Sequence, residues 1–141
     1  HTHPQALPKI FHEKLTINLK HYLFLGGMPE VLKDFIENQD IESARKIQFE
    51  ILESYQRDFS KYTDTSQTLK TSEIWNSIPA QLAREKKKFK YTSVRKNSRA
   101  ATFEQSIEWL RSTGLINMVK NLSTPKLPLS GYVDSTKFKL Y

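Results

Sequence analysis

Over residues 41–59 the apolar side chains Ile41, Ala44, Ile47, Ile51, Leu52, Tyr55 and Phe59 recur every three or four positions, with no Gly or Pro among them. That spacing lines one face of a helix of about five turns, and a face so long must be covered by other elements. A mainly helical fold follows. Upstream, Ile10, Phe11, Leu15, Leu19, Tyr22 and Leu23 mark the inward stripe of a helix over residues 8–25. A shorter helix over 29–37 turns Val31, Leu32, Phe35 and Ile36 inward. Gly26-Gly27 suits the left-handed backbone that closes a helix, and Pro29 suits the first turn of the next, where its missing N–H costs no bond. The polar run Asn38-Gln39-Asp40 ends the second helix and offers Asp40 as N-cap of the third. Residues 1–62 are therefore expected to form a helical bundle.

The Thr- and Ser-rich stretch 63–71 breaks the apolar periodicity, and a joint between two domains is placed there, as a 141-residue chain allows. Beyond it, Ser72 can cap a helix with Ile74, Trp75, Ile78 and Leu82 on one face, which Pro79 should kink or shorten. Residues 89–92 alternate like a short strand, 93–99 suit one or two helical turns, and Thr102 opens a helix over 103–112. Phe103, Ile107 and Leu110 face inward there, and Gly114 stops it. Strands follow at 115–121 and 137–141, separated by a loop over 122–136 in which Pro125, Pro128 and Gly131 forbid regular structure. Residues 72–141 thus have the order of a winged helix-turn-helix with a small β-hairpin. The helix of 103–112 stands in the recognition position, and the long loop is the wing.

The net charge of +7 is unevenly spread. Residues 1–83 hold 9 basic and 11 acidic side chains, residues 84–99 hold 8 and 1, and residues 100–141 hold 5 and 3. The stretch 84–99, REKKKFKYTSVRKNSR, interleaves cations with Phe89 and Tyr91 in the manner of a phosphate-facing surface. A solubilising loop is the alternative. The exposed face expected for the recognition helix, Glu104, Gln105, Glu108 and Arg111, argues against reading of base edges, because carboxylates repel phosphates and acceptor-rich groove edges. DNA contact would fall to backbone pairing by Lys86, Lys87, Lys88, Lys90, Arg95, Lys96 and Arg99, salt-sensitive and nearly blind to sequence. Winged helices also dock proteins, so a protein partner stays open.

Catalytic chemistry finds little to work with. There is no Cys, which removes thiol nucleophiles, thiolate metal sites and disulfides, and leaves the reducing cytoplasm as the expected compartment. The four His all precede residue 22, and His12 and His21 are nine apart, which is not the i, i+4 edge that chelates zinc. Glu50 and Glu53 lie on the outer face of the third helix with no His beside them. No phosphate-loop motif occurs and no stretch approaches the roughly 20 apolar residues of a membrane span, so no catalytic residue, metal or membrane is expected.

The run YLFLGGMPEV (22–31), Ile47-Gln48, SYQRDFSKY (54–62), IWNSIP (74–79), Trp109-Leu110 and Gly114-Leu115-Ile116 closely resemble one family. It is the domain of unknown function that follows the ATPase core in a large group of prokaryotic AAA-type P-loop ATPases. The resemblance implies a preceding core that binds ATP and Mg and acts as partner in cis, and a following nuclease-like segment, so that both ends of this chain are expected to be cut. The Gly26-Gly27-Met28-Pro29 corner is also similar to the G-x-P motif in the helical lid of related ATPases, which implies a nucleotide-sensing role for Gly27 and Pro29. The function expected is that of a non-catalytic coupling part between nucleotide state and partner binding. A sequence-independent DNA-binding module and a helical adaptor for proteins are the alternatives.

Overall fold

The structure, a computed structural model, describes residues 8–141. Helix α1 spans Lys9–Leu25, α2 Pro29–Asn38, α3 Ile41–Tyr62, α4 Thr65–Leu82 and α5 Ala100–Ser112, followed by strands β1 (Met118–Leu122) and β2 (Val133–Leu140). The fold is mainly helical with a small antiparallel hairpin at the end. It divides into two compact units, one up to Tyr55 and one from Gln56, so the division falls inside α3.

In the first unit, Leu25, Val31, Phe35 and Ala44 are buried together, and Met28, Leu32, Ile47 and Ile51 pack against them. The Gly26 N–H donates to the Tyr22 carbonyl (2.9 Å), closing α1, and Pro29 opens α2 as expected. Gln39 ends α2 with φ 52°, its side-chain amide donating back to the Phe35 and Ile36 carbonyls (3.1 and 3.2 Å). The Asp40 carboxylate accepts the Glu42 N–H (2.9 Å), the local bond expected of a cap. The stripe read on α1 is not inward: Ile10, Phe11, Leu15, Leu19, Tyr22 and Leu23 are all more than half exposed. Of α1, only Leu25 at its last turn is buried in the core. Ile36 and Leu52 are likewise exposed.

Gly26 is where the backbone imposes a residue type. At φ 72°, ψ −157° it occupies a region open almost solely to glycine, although a Cβ there would meet no atom within 4 Å. Gly26→Ala is therefore expected to cost about 1–3 kcal/mol through backbone strain alone. Gly27→Ala, equally open and without a positive φ, should fall within about 0.5 kcal/mol of the parent. Urea midpoints of the two variants check the contrast.

In the second unit the stretch read as a joint, 63–71, is helical from Thr65 onward. Asp64 caps α4 by accepting the Gln67 N–H (2.9 Å), and the helix runs on through Pro79 to Leu82. Its buried face is Gln67, Thr71, Ile74, Ile78 and Gln81, a helical series hidden from an apolar scan because three of its members are polar. The Gln67 amide donates to Ser106 Oγ on α5 (2.9 Å), so the burial of both is compensated. Phe59 of α3 is fully buried, edge-on to Trp75 of α4 and Trp109 of α5 at 5.8 and 5.6 Å. On α5, Phe103, Ile107 and Leu110 are inward as expected, while Arg99 rather than Thr102 occupies the N-cap.

Residues 89–92 do not form a strand. Phe89 donates one backbone bond to the Phe138 carbonyl (2.9 Å), and the chain then tightens into a 3₁₀ turn at Tyr91–Ser93, with further turns in place of the helix expected at 93–99. Side chains explain the interruption: Gln81 Oε1 accepts the Lys90 N–H (2.7 Å), and Phe89, Tyr91 and Phe138 cluster with ring centroids 5.3–6.2 Å apart. Strand β2 starts earlier than expected, at Val133, and the 122–136 loop contracts accordingly. Met118 pairs with Leu140 and Lys120 with Phe138, but Asn121 pairs with Asp134, so residues 135–137 of β2 bulge without counterparts.

Candidate nucleic-acid interface

Lys86, Lys87, Lys88, Lys90, Arg95, Lys96 and Arg99 all lie exposed in the second unit, between the end of α4 and the start of α5. The reason is local. Phe89 is the one buried residue from Leu82 to Ala100 and pins the segment to β2 by its ring and its N–H, while the lysines around it project outward. Arg95 is partly committed to structure: its guanidinium donates to Glu73 (2.7 Å) and lies over the Phe103 ring at 5.8 Å. Lys86, Lys87, Lys88, Lys90, Lys96 and Arg99 have no carboxylate partner among the described residues.

The outer face of α5 presents Glu104, Gln105, Glu108 and Arg111, and there Glu108 accepts from Arg111 at 2.8 Å, absorbing the face's one cation. Tyr91, at the turn before α5, has its phenol pKa raised, first by burial and then by the Glu104 carboxylate. This helix offers a duplex net negative charge. The hairpin offers the opposite. A cleft of about 280 Å³ is lined by Lys88, Val119, Lys120, Asn121, Lys137, Phe138 and Lys139. The hairpin lysines escaped the sequence reading because their convergence depends on strand register, although the alternation Lys137-Phe138-Lys139 was a usable signal.

Asp134 stands at the root of the bulge. Its carboxylate accepts the Thr136 hydroxyl (2.6 Å), the Lys137 ammonium (2.9 Å) and the Thr136 N–H (2.9 Å), which hold its pKa down to about 2. A carboxylate with a depressed folded pKa stabilises the fold above its unfolded value of 3.8, and that contribution disappears as pH falls toward about 2. A carboxyl NMR titration should therefore place its midpoint near 2, and Asp134→Asn should remove the matching pH dependence of the Thr136 amide signal. A midpoint near 4 would mean that the bulge clamp does not form.

Gly27 and Pro29 belong to the first unit. Gly27 is exposed at the corner, and the left-handed position is its neighbour Gly26. The corner is tied down by a residue whose role the sequence did not reveal. Gln48 on α3 donates its side-chain amide to the carbonyls of Phe24 and Leu25 (3.0 and 3.1 Å), the last two residues of α1. Those carbonyls lack helical partners, so the amide fills a gap that every helix end leaves.

Among the described residues no group of three or more His, Asp or Glu converges in a way that would hold a metal ion, and no helix is long and apolar enough to cross a membrane. His12 and His21 are exposed, with His21 edge-on to Phe35 at 5.3 Å, while His1 and His3 lie outside the described residues.

A mainly helical chain ending in a hairpin, with a clamped helix corner and a basic surface segment, is the class that this geometry defines. Residues 16–141 match the model of a domain of unknown function, DUF8612, and the chain belongs to that family. No curated protein and no solved structure matches it.

Proposed function

We propose that this chain is the non-catalytic coupling part of an AAA-type ATPase, passing the nucleotide state of a core that precedes it to a partner held by the second unit. Hydrolysis, with ATP and Mg, belongs to that core. The observation that carries the reading is the Gln48 clamp on the Gly26–Pro29 corner. A sensor that reports by movement needs a stiff link to what it moves, and two hydrogen bonds from one amide fasten the end of α1 to α3. The same helix runs on to Phe59, the aromatic hub of the second unit. Gly27 and Pro29 are the positions that meet the nucleotide in this reading, by their similarity to the lid motif.

The test is the reading frame upstream of residue 1. An in-frame phosphate loop of the G-x-x-x-x-G-K-[ST] type is the result expected, and an unrelated domain in its place overturns the assignment.

A second reading, binding of duplex DNA through its backbone, is favoured by the exposed cations of residues 84–99. It is compatible with the first, DNA then being the partner that the second unit holds. A helical adaptor for proteins has no comparable feature in its favour beyond the exposed apolar stripe of α1.

A further inference from the structure

We propose that the cleft between Lys88 and the β-hairpin is a binding site for the sugar-phosphate backbone of duplex nucleic acid, held by Lys88 and Lys139, so that the hairpin and not α5 makes the contact. The inference rests on the second unit being the partner-binding part and names the surface and ligand class. Four lysines line this one cleft, one from the segment before Phe89 and three from the two strands of the hairpin, which the Phe89 N–H to Phe138 bond brings side by side. Lys137 is drawn onto Asp134 at 2.9 Å, whereas Lys88, Lys120 and Lys139 have no carboxylate within reach among the described residues. Lys120 is paired with Phe138 and so lies on the other face of the hairpin from Lys139, which leaves Lys88 and Lys139 as the unneutralised cations of this lining, a concentration of positive charge that an anion would offset.

The chemistry of that anion follows from what else the cleft holds. The only aromatic in the lining, Phe138, is buried against Phe89, so the cleft offers no ring on which unpaired bases could stack. Asn121 supplies a neutral donor of the kind that meets phosphate oxygens. A paired strand with its bases turned away fits these groups. The exposed carboxylates of α5, Glu104 and Glu108, oppose docking of the duplex on that helix.

Fluorescence anisotropy of a labelled random-sequence duplex, at low salt and with the whole chain, tests the assignment. Lys88→Ala with Lys139→Ala should weaken binding by about tenfold to a hundredfold and make the salt slope shallower by about 2, since each lost phosphate contact removes about 0.9. Lys88→Arg with Lys139→Arg should restore affinity. Binding that survives the alanine pair but disappears with Lys86→Ala and Lys87→Ala moves the site off the hairpin and overturns this inference while leaving DNA as partner. No duplex binding, with capture instead by vesicles containing phosphatidylserine, overturns nucleic acid as the ligand, yet an upstream phosphate loop would still uphold the coupling role. Both exchanged lysines are exposed, so loss of folding is not expected, and circular dichroism of each variant verifies it.

Discussion

Phe59→Ala is expected to remove about 3–5 kcal/mol from the stability of the second unit, a large part of what a domain of this size possesses. The ring is fully buried and meets two indoles edge-on, Trp75 at 5.8 Å and Trp109 at 5.6 Å. Truncation loses the buried apolar area, leaves a cavity that two rigid indoles cannot collapse to fill, and removes two aromatic pairs worth about 0.5–1.5 kcal/mol each beyond their area. Phe49→Ala is the control on the same helix. Phe49 is 54% exposed, with the Arg45 guanidinium over its ring at 5.4 Å, so its loss should fall within about 0.5–1 kcal/mol. Urea unfolding followed by tryptophan fluorescence reads the Phe59 variant, since both indoles lie against that ring, and far-ultraviolet circular dichroism follows the Phe49 variant, whose position falls in the first unit. Equal midpoints for the two variants would mean that the aromatic hub does not hold the unit together.

The second large effect concerns salt. If the cations of residues 84–99 pair with DNA phosphates, each contact contributes a slope of about −0.9 in log K against log salt. Seven contacts then cost about three to four orders of magnitude between roughly 50 and 200 mM salt. Arg95 spends part of its charge on Glu73, so the observed slope should fall somewhat short of seven contacts. The measurement is a salt titration of anisotropy with random-sequence duplex, repeated with a second sequence. Equal affinity for the two and a steep slope are expected, because the outer face of α5 is acidic and reads no bases. A flat slope would make the basic segment solubilising charge and return the second unit to protein docking.

These expectations separate what the residues announce from what only packing decides. The long stripe of α3, the inward Phe103, Ile107 and Leu110 of α5 and the terminal hairpin were legible because each is a local pattern. The helical stretch at 65–71 was not, since its buried positions are Gln67 and Thr71 and the reason that Gln67 can be buried, Ser106, lies 39 residues away. The α1 stripe misled in the opposite sense. An apolar face states that a helix has something to bury without saying what, and in the described residues only Leu25 finds cover.

The site divides the same way. The run of cations at 84–99 stands out in the sequence, and Phe89 at its centre explains why the lysines point outward. Lys139 carries only the alternation of Lys137-Phe138-Lys139, and that β2 comes to lie beside the Lys88 segment depends on the Phe89 N–H to Phe138 bond. The clamp by Gln48 is invisible for a related cause. One glutamine on the polar side of a helix resembles any other until the carbonyls of Phe24 and Leu25 are found beside it.

The proposed coupling role is most directly tested by steady-state ATP hydrolysis in a polypeptide that contains this chain together with the ATPase core proposed to precede it. Gln48→Ala removes both hydrogen bonds on the α1 end and leaves the buried core residues in place. The account predicts a rate that no longer responds to whatever partner stimulates the parent, with ATP affinity and the circular dichroism spectrum unchanged. A variant whose rate and partner response match the parent would contradict it.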